Sequence, residues 1–121
     1  MLSQLDRALF TSETKVYHNK PNKISKGQTM TDIFSHSIIL NNLEPQLKLK
    51  SNPKILDIGT GHGYLAFAIW MLAQKLSKSP QKILAIDFFE DCIQNCDQIK
   101  NKLKISADEL EFKKMDVMEL V

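Results

Sequence analysis

The chain has 121 residues, 43% hydrophobic and 25% charged, with a formal net charge of +2. These values argue against a disordered chain and fit one domain, or part of one, able to bury a core. So balanced a charge gives no general pull towards nucleic acid or anionic membrane, and with no apolar run of membrane-spanning length and no basic-then-apolar leader the expected setting is a soluble, cytoplasmic protein.

Residues 1–10 carry Leu2, Leu5, Leu9 and Phe10 at roughly helical spacing, too short to persist alone, and read as a docking element. Residues 11–26 are polar and irregular around Tyr17 and Pro21, which predicts a loop laid over a surface. A helix is predicted to start near Thr29 or Thr31, either able to act as N-cap, with Asp32 in the first turn against the macrodipole. His36, Ile39, Leu40, Leu43 and Leu47 share one face of it, and Pro45 is predicted to end it at Asn42 or Leu43. A histidine inside such an apolar stripe reads as a core residue before a catalytic one.

Lys54 to Ile58 is a nearly continuous apolar run, as in a parallel strand covered on both faces. It stops at Gly59-Thr60-Gly61-His62-Gly63 and gives way to a helix from about Tyr64 to Leu76, with Leu65, Ile69, Leu72 and Leu76 as its stripe. A second strand, Lys82 to Asp87, leads to a helix from about Glu90 to Leu103 striped by Cys92, Cys96, Ile99 and Leu103. The two cysteines lie four apart on one helix face, awkward for a disulfide, and are expected as buried thiols. A weaker third strand, 110–115, is interrupted by Glu111, Lys113 and Lys114 as a near-edge strand would be. Alternating strands and helices predict a three-layer α/β fold with at least three parallel strands. Two parts are expected: a helical leader over 1–50 and a βαβαβ unit over 51–121.

Three glycines at every second position between a strand and a helix let backbone N–H groups approach a ligand closely. A dinucleotide fingerprint needs a small residue where this chain has Tyr64, so that ligand is disfavoured. Asp87 ends the next strand 24 residues after Gly63, close to the roughly 20 at which an acid meets a ribose. Asp116 follows the third strand. Asp57, Gly59, Thr60, Gly61 and Gly63, with Asp87 and Asp116, resemble the S-adenosylmethionine site of class I methyltransferases, which implies a Rossmann-like sheet of which this chain carries the N-terminal half.

The N-terminal part is more specific. Leu5-Asp6-Arg7, Tyr17, Pro21, the segment Gly27-Gln28-Thr29-Met30-Thr31, then His36 and residues 40–43, resemble the leader of protein-L-isoaspartate O-methyltransferases. The resemblance runs along nearly the whole chain. It implies methyl transfer from S-adenosylmethionine to the carboxylate of L-isoaspartyl residues, whose ester collapses to a succinimide and so repairs damaged proteins. It also implies that Thr31 and Thr29 position that carboxylate. A carboxylate nucleophile needs no general base, so the lack of a triad or metal cluster is consistent with such an enzyme. Where the family has Gln or Ala, Pro, and His or Tyr, this chain has Asp32, Ile33 and Phe34. An ionised Asp32 would repel an acidic acceptor unless its charge is spent on the helix N-terminus. With the usual strand order, Lys54 to Ile58 would be central, and a chain ending at Val121 would leave it an exposed apolar edge for another chain to cover. Purified alone, such a chain is expected to bind the cofactor weakly and to aggregate. Two alternatives stand beside this reading: a non-catalytic methyltransferase-like subunit or fragment acting as an interaction module, and another class I methyltransferase acting on nucleic acid or a small molecule.

Overall fold

The computed structural model describes residues 22–23, 29–30, 33–50, 52–76, 82–106 and 108–120. β1 (Asn22–Lys23) pairs antiparallel with β2 (Thr29–Met30), Asn22 opposite Met30 and Lys23 opposite Thr29. Two expectations change here: Asn22 and Lys23 form strand rather than loop, and Thr29 lies in a strand rather than at a helix start. Two-residue strands have no periodicity to betray them. The expected docking element at 1–10 and the capping roles of Thr31 and Asp32 lie outside the described residues.

α1 (Ile33–Leu49) runs through Pro45 instead of ending at Asn42 or Leu43. A proline forfeits the hydrogen bond to the carbonyl four residues back, here that of Asn41. Asn41 and Pro45 are both exposed, so this carbonyl can turn to water, while Leu47 beyond them is buried in the core and holds the next turn in place. The buried face is His36, Leu40 and Leu47 with Leu43 half-buried; Ile39, expected on it, is exposed.

β3 (Lys54–Ile58), β4 (Lys82–Asp87) and β5 (Leu110–Lys114) form a parallel sheet in that order, β4 in the middle. α2 (Tyr64–Lys75) and α3 (Glu90–Leu103) connect them, with bounds within a residue of those expected. Because Ile55 faces Ile83 and Ile83 faces Leu110 in register, side-chain alternation puts Ile55, Asp57, Ile83, Ala85, Asp87, Leu110 and Phe112 on one face. That face joins Leu40 and Leu47 of α1, Phe67 and Ile69 of α2, and Cys96 and Ile99 of α3 in one core. α2 touches both α1 and the sheet, so its burial extends past the expected stripe to Tyr64, Ala66, Phe67, Ala68 and Ala73. Phe67 meets Phe112 of β5 with ring centroids 5.1 Å apart. Cys92 and Cys96 are buried thiols, as expected, whereas Leu103, at the end of their stripe, is exposed.

On the opposite face Leu56 is 47% and Ile58 54% exposed. The expected cover on both faces of β3 is therefore absent among the described residues: β3 is the edge of the sheet, and the helices that pack on the sheet do so on its other side. The described residues supply the parallel sheet and one helical layer of the Rossmann-like α/β class. No helix among them is long and apolar enough to cross a membrane.

Candidate functional site

The turn after β3 is built from its glycines. Gly59, Gly61 and Gly63 have φ of 75°, 58° and 88°, a region that costs a residue with a Cβ roughly 1–2 kcal/mol. Two consecutive amides, of Gly59 and Thr60, donate to the Ile86 carbonyl at 2.9 Å each, tying the turn to the end of β4. Gly63 N–H donates to the Thr60 carbonyl at 2.9 Å and closes the loop. Gly63 then caps α2 without a side-chain hydrogen bond, so no side chain of the cap competes for first-turn N–H groups that an anionic ligand group can use.

Asp87, expected at a ribose, is 3% exposed and already employed. Its Oδ2 accepts from Gly61 N–H at 2.9 Å and its Oδ1 from Phe89 N–H at 3.0 Å. One carboxylate thus holds the glycine turn and the entry to α3 together. A carboxylate has about four lone-pair sites, so it retains acceptor capacity towards a ligand. Asp116 accepts Met118 N–H on Oδ1 at 3.0 Å and opens the 3₁₀ turn Val117–Leu120.

Asp57 behaves differently. Its Oδ2 is buried with no hydrogen-bond partner, as is Thr60 Oγ1. Burial first, and then the charge of Asp87, push the Asp57 carboxyl above its ordinary range; the Thr60 side chain pulls the other way without reaching a hydrogen-bonding geometry. Two orphaned buried acceptors beside a glycine cradle fit a ligand that brings hydrogen-bond donors or positive charge.

A cleft of about 270 Å³ opens at the C-terminal ends of the strands, where open α/β sheets bind ligands. Gly59, Asp87 and Asp116 line it with apolar Ile58, Phe88 and Met115. Three expected residues from three successive strand ends therefore meet at one place. Asp57, just before the turn, and Thr60 within it are half-buried, while Gly61 and Gly63 of the same turn are buried. Thr29 is placed only as part of β2, and Thr31 lies outside the described residues. His36 is 3% exposed and stacks on Tyr64 with centroids 4.9 Å apart, a core position as expected. The apolar lining was not anticipated; the sole signal for it was that Phe88 directly follows Asp87.

The family model described as Protein-L-isoaspartate(D-aspartate) O-methyltransferase (PCMT) matches residues 1–118. A protein-L-isoaspartate O-methyltransferase of Methanoculleus marisnigri is 31% identical over 78 residues, covering 62% of this chain and 34% of that protein. Protein-L-isoaspartate O-methyltransferase 1 of Nitrosospira multiformis is 40% identical over 58 residues, covering 48% of this chain and 23% of the other. In fold, the chain is similar to a Plasmodium falciparum chain assigned as a protein-L-isoaspartate O-methyltransferase and solved with S-adenosyl-L-homocysteine. The TM-score is 0.81 at 21% identity, over 99% of this chain and 55% of that one. The matched stretches amount to about a third or less of the curated relatives' length. With the family model spanning all but the last three residues, the chain belongs to the protein-L-isoaspartate (D-aspartate) O-methyltransferase family.

Proposed function

We propose that this chain provides the S-adenosylmethionine site of a cytoplasmic enzyme that methylates the carboxylate of L-isoaspartyl residues in damaged proteins and peptides. The observation that carries the reading is the meeting of Gly59, Asp87 and Asp116 in one cleft beside the unsatisfied Asp57 Oδ2 and Thr60 Oγ1. Those orphaned oxygens fit a cofactor that carries an ammonium group, and Asp87 retains acceptor capacity for its ribose hydroxyls. In this reading Asp57, Thr60, Gly59, Gly61 and Gly63 hold the amino-acid end, and Asp87 and Asp116 the nucleoside. When bound, the cofactor supplies a sulfonium methyl group open to attack by a carboxylate oxygen. The chain's task is then to place that oxygen, within about 3–3.5 Å of its target, and to exclude water. Residues 1–50 carry the acceptor side through Thr29 and Thr31, whose hydroxyls position the isoaspartyl carboxylate, and residues 51–121 carry the cofactor side.

The open face of the sheet favours a second reading. Leu56 and Ile58, exposed on the edge strand, suit an interaction module whose β3 another chain covers. One experiment separates the two: methyl transfer to an isoaspartyl peptide by the full chain, with Thr31→Ala as control and a calorimetric titration of S-adenosylmethionine. Transfer that Thr31→Ala abolishes supports the enzyme, cofactor binding without transfer supports the module, and absence of both refutes the cofactor site.

A further inference from the structure

We infer that Cys96 is a positioning residue for the glycine turn, its thiol fixing the orientation of the Gly61–His62 peptide; this deepens, and rests on, the cofactor reading above. Cys96 sits on α3, wholly buried, and its Sγ donates to the Gly61 carbonyl at 3.3 Å. The amide on the other side of the same residue is held by Asp87 Oδ2 at 2.9 Å. Gly61 is therefore gripped at both ends, by the end of β4 at its N–H and by α3 at its carbonyl. A glycine at φ 58° has no side chain to bias its peptides, so these two bonds set them.

A trans peptide is planar, with its N–H pointing opposite to its carbonyl. Turning the Gly61 carbonyl towards Cys96 aims the His62 N–H away from α3. Cys96 also presses on the turn, its Sγ lying 3.0 Å from where a Cβ on Gly63 would stand. Burial above all, then the charges around it, beginning with Cys92 and Asp97, keep the thiol far above its ordinary range, so it stays protonated and a donor. Such a donor suits a turn whose two nearby carboxylates, Asp57 and Asp87, would repel a thiolate.

Packing and hydrogen bonding make opposite forecasts for substitution. Cys96→Ser keeps a donor but puts a more polar group in an apolar core, and Cys96→Ala keeps the core apolar but removes the donor. The full chain and both variants are compared by urea unfolding, by calorimetric titration of S-adenosylhomocysteine, and by amide hydrogen exchange at Gly61 and His62. Loss of one weak thiol hydrogen bond is expected to weaken ligand binding and speed exchange about threefold in Cys96→Ala. Cys96→Ser is expected to stay within about twofold of the parent in both, whatever its stability. Should the alanine variant not fold, Cys96→Val supplies volume without the donor and takes its place. If binding and exchange instead follow unfolding stability across the variants, or Cys96→Ala matches the parent, the positioning role is overturned. If the parent itself binds no S-adenosylhomocysteine, the cofactor reading fails, and amide exchange alone decides the role of Cys96.

Discussion

Gly63→Ala places a methyl group where the fold has no room for one. A Cβ built on Gly63 stands 2.9 Å from Phe112 Cε1, 3.0 Å from Cys96 Sγ and 3.1 Å from Phe112 Cζ. Neither neighbour gives way easily: the Phe112 ring is backed by Phe67 at 5.1 Å, and Cys96 is wholly buried on α3. Overpacking of this kind costs about 1–3 kcal/mol. The backbone adds its own cost, because φ of 88° penalises alanine by roughly 1–2 kcal/mol. Together the expected loss is about 2–5 kcal/mol, a large share of the roughly 5–15 kcal/mol that holds a domain folded. Gly59→Ala is the matched control, with φ of 75° but nothing within 4 Å of the new methyl, so only the backbone penalty of roughly 1–2 kcal/mol applies. Urea unfolding reads both, and melting follows at about 4 °C per kcal/mol. Phe112→Leu in the Gly63→Ala background should recover part of the difference. Equal losses at the two glycines would refute the claim that Phe112 and Cys96 form the wall behind the turn.

Asp57 has its carboxyl raised from 3.8 by burial, so the folded state holds that proton more tightly than the unfolded one; the group favours folding below the ordinary range and costs stability as pH rises through it. Asp57→Asn should therefore raise the melting temperature at pH 7, with the gain fading at acid pH, and should weaken S-adenosylmethionine binding; a gain that grows on acidification would contradict the assignment. Pro45→Ala, on the exposed side of α1, restores an N–H facing the Asn41 carbonyl and should stabilise the chain by about 1–3 kcal/mol in thermal melts. A loss there would mean that the proline shapes the packing of Leu47. Leu56→Lys with Ile58→Lys, on the open face, should change stability by no more than about 1 kcal/mol and reduce self-association in sedimentation; a large loss of stability would mean that something covers this face.

The βα units were legible in the sequence because β3 and β4 are short apolar runs closed by a glycine or an acid, and α3 has a single helical period. α1 was not, because local and tertiary signals conflict in it. Pro45 argues for a stop, Leu47 argues for continuation, and the burial of Leu47 against the rest of the core decides the matter. The same holds within the site. The spacing of Asp87 marks it as a candidate, but its bonds to Gly61 and Phe89 depend on how β3 and β4 are paired. Asp57 lies opposite Ala85 and Ile58 opposite Ile86, which brings the glycine turn beside the end of β4. A slip of one residue in that pairing would send every side chain of one strand to the other face. Asp57 and Asp87 would then no longer share a face, and Gly61 would lose its carboxylate. The site is thus a property of one register between two strands, and the burial that orphans Asp57 follows from the same pairing.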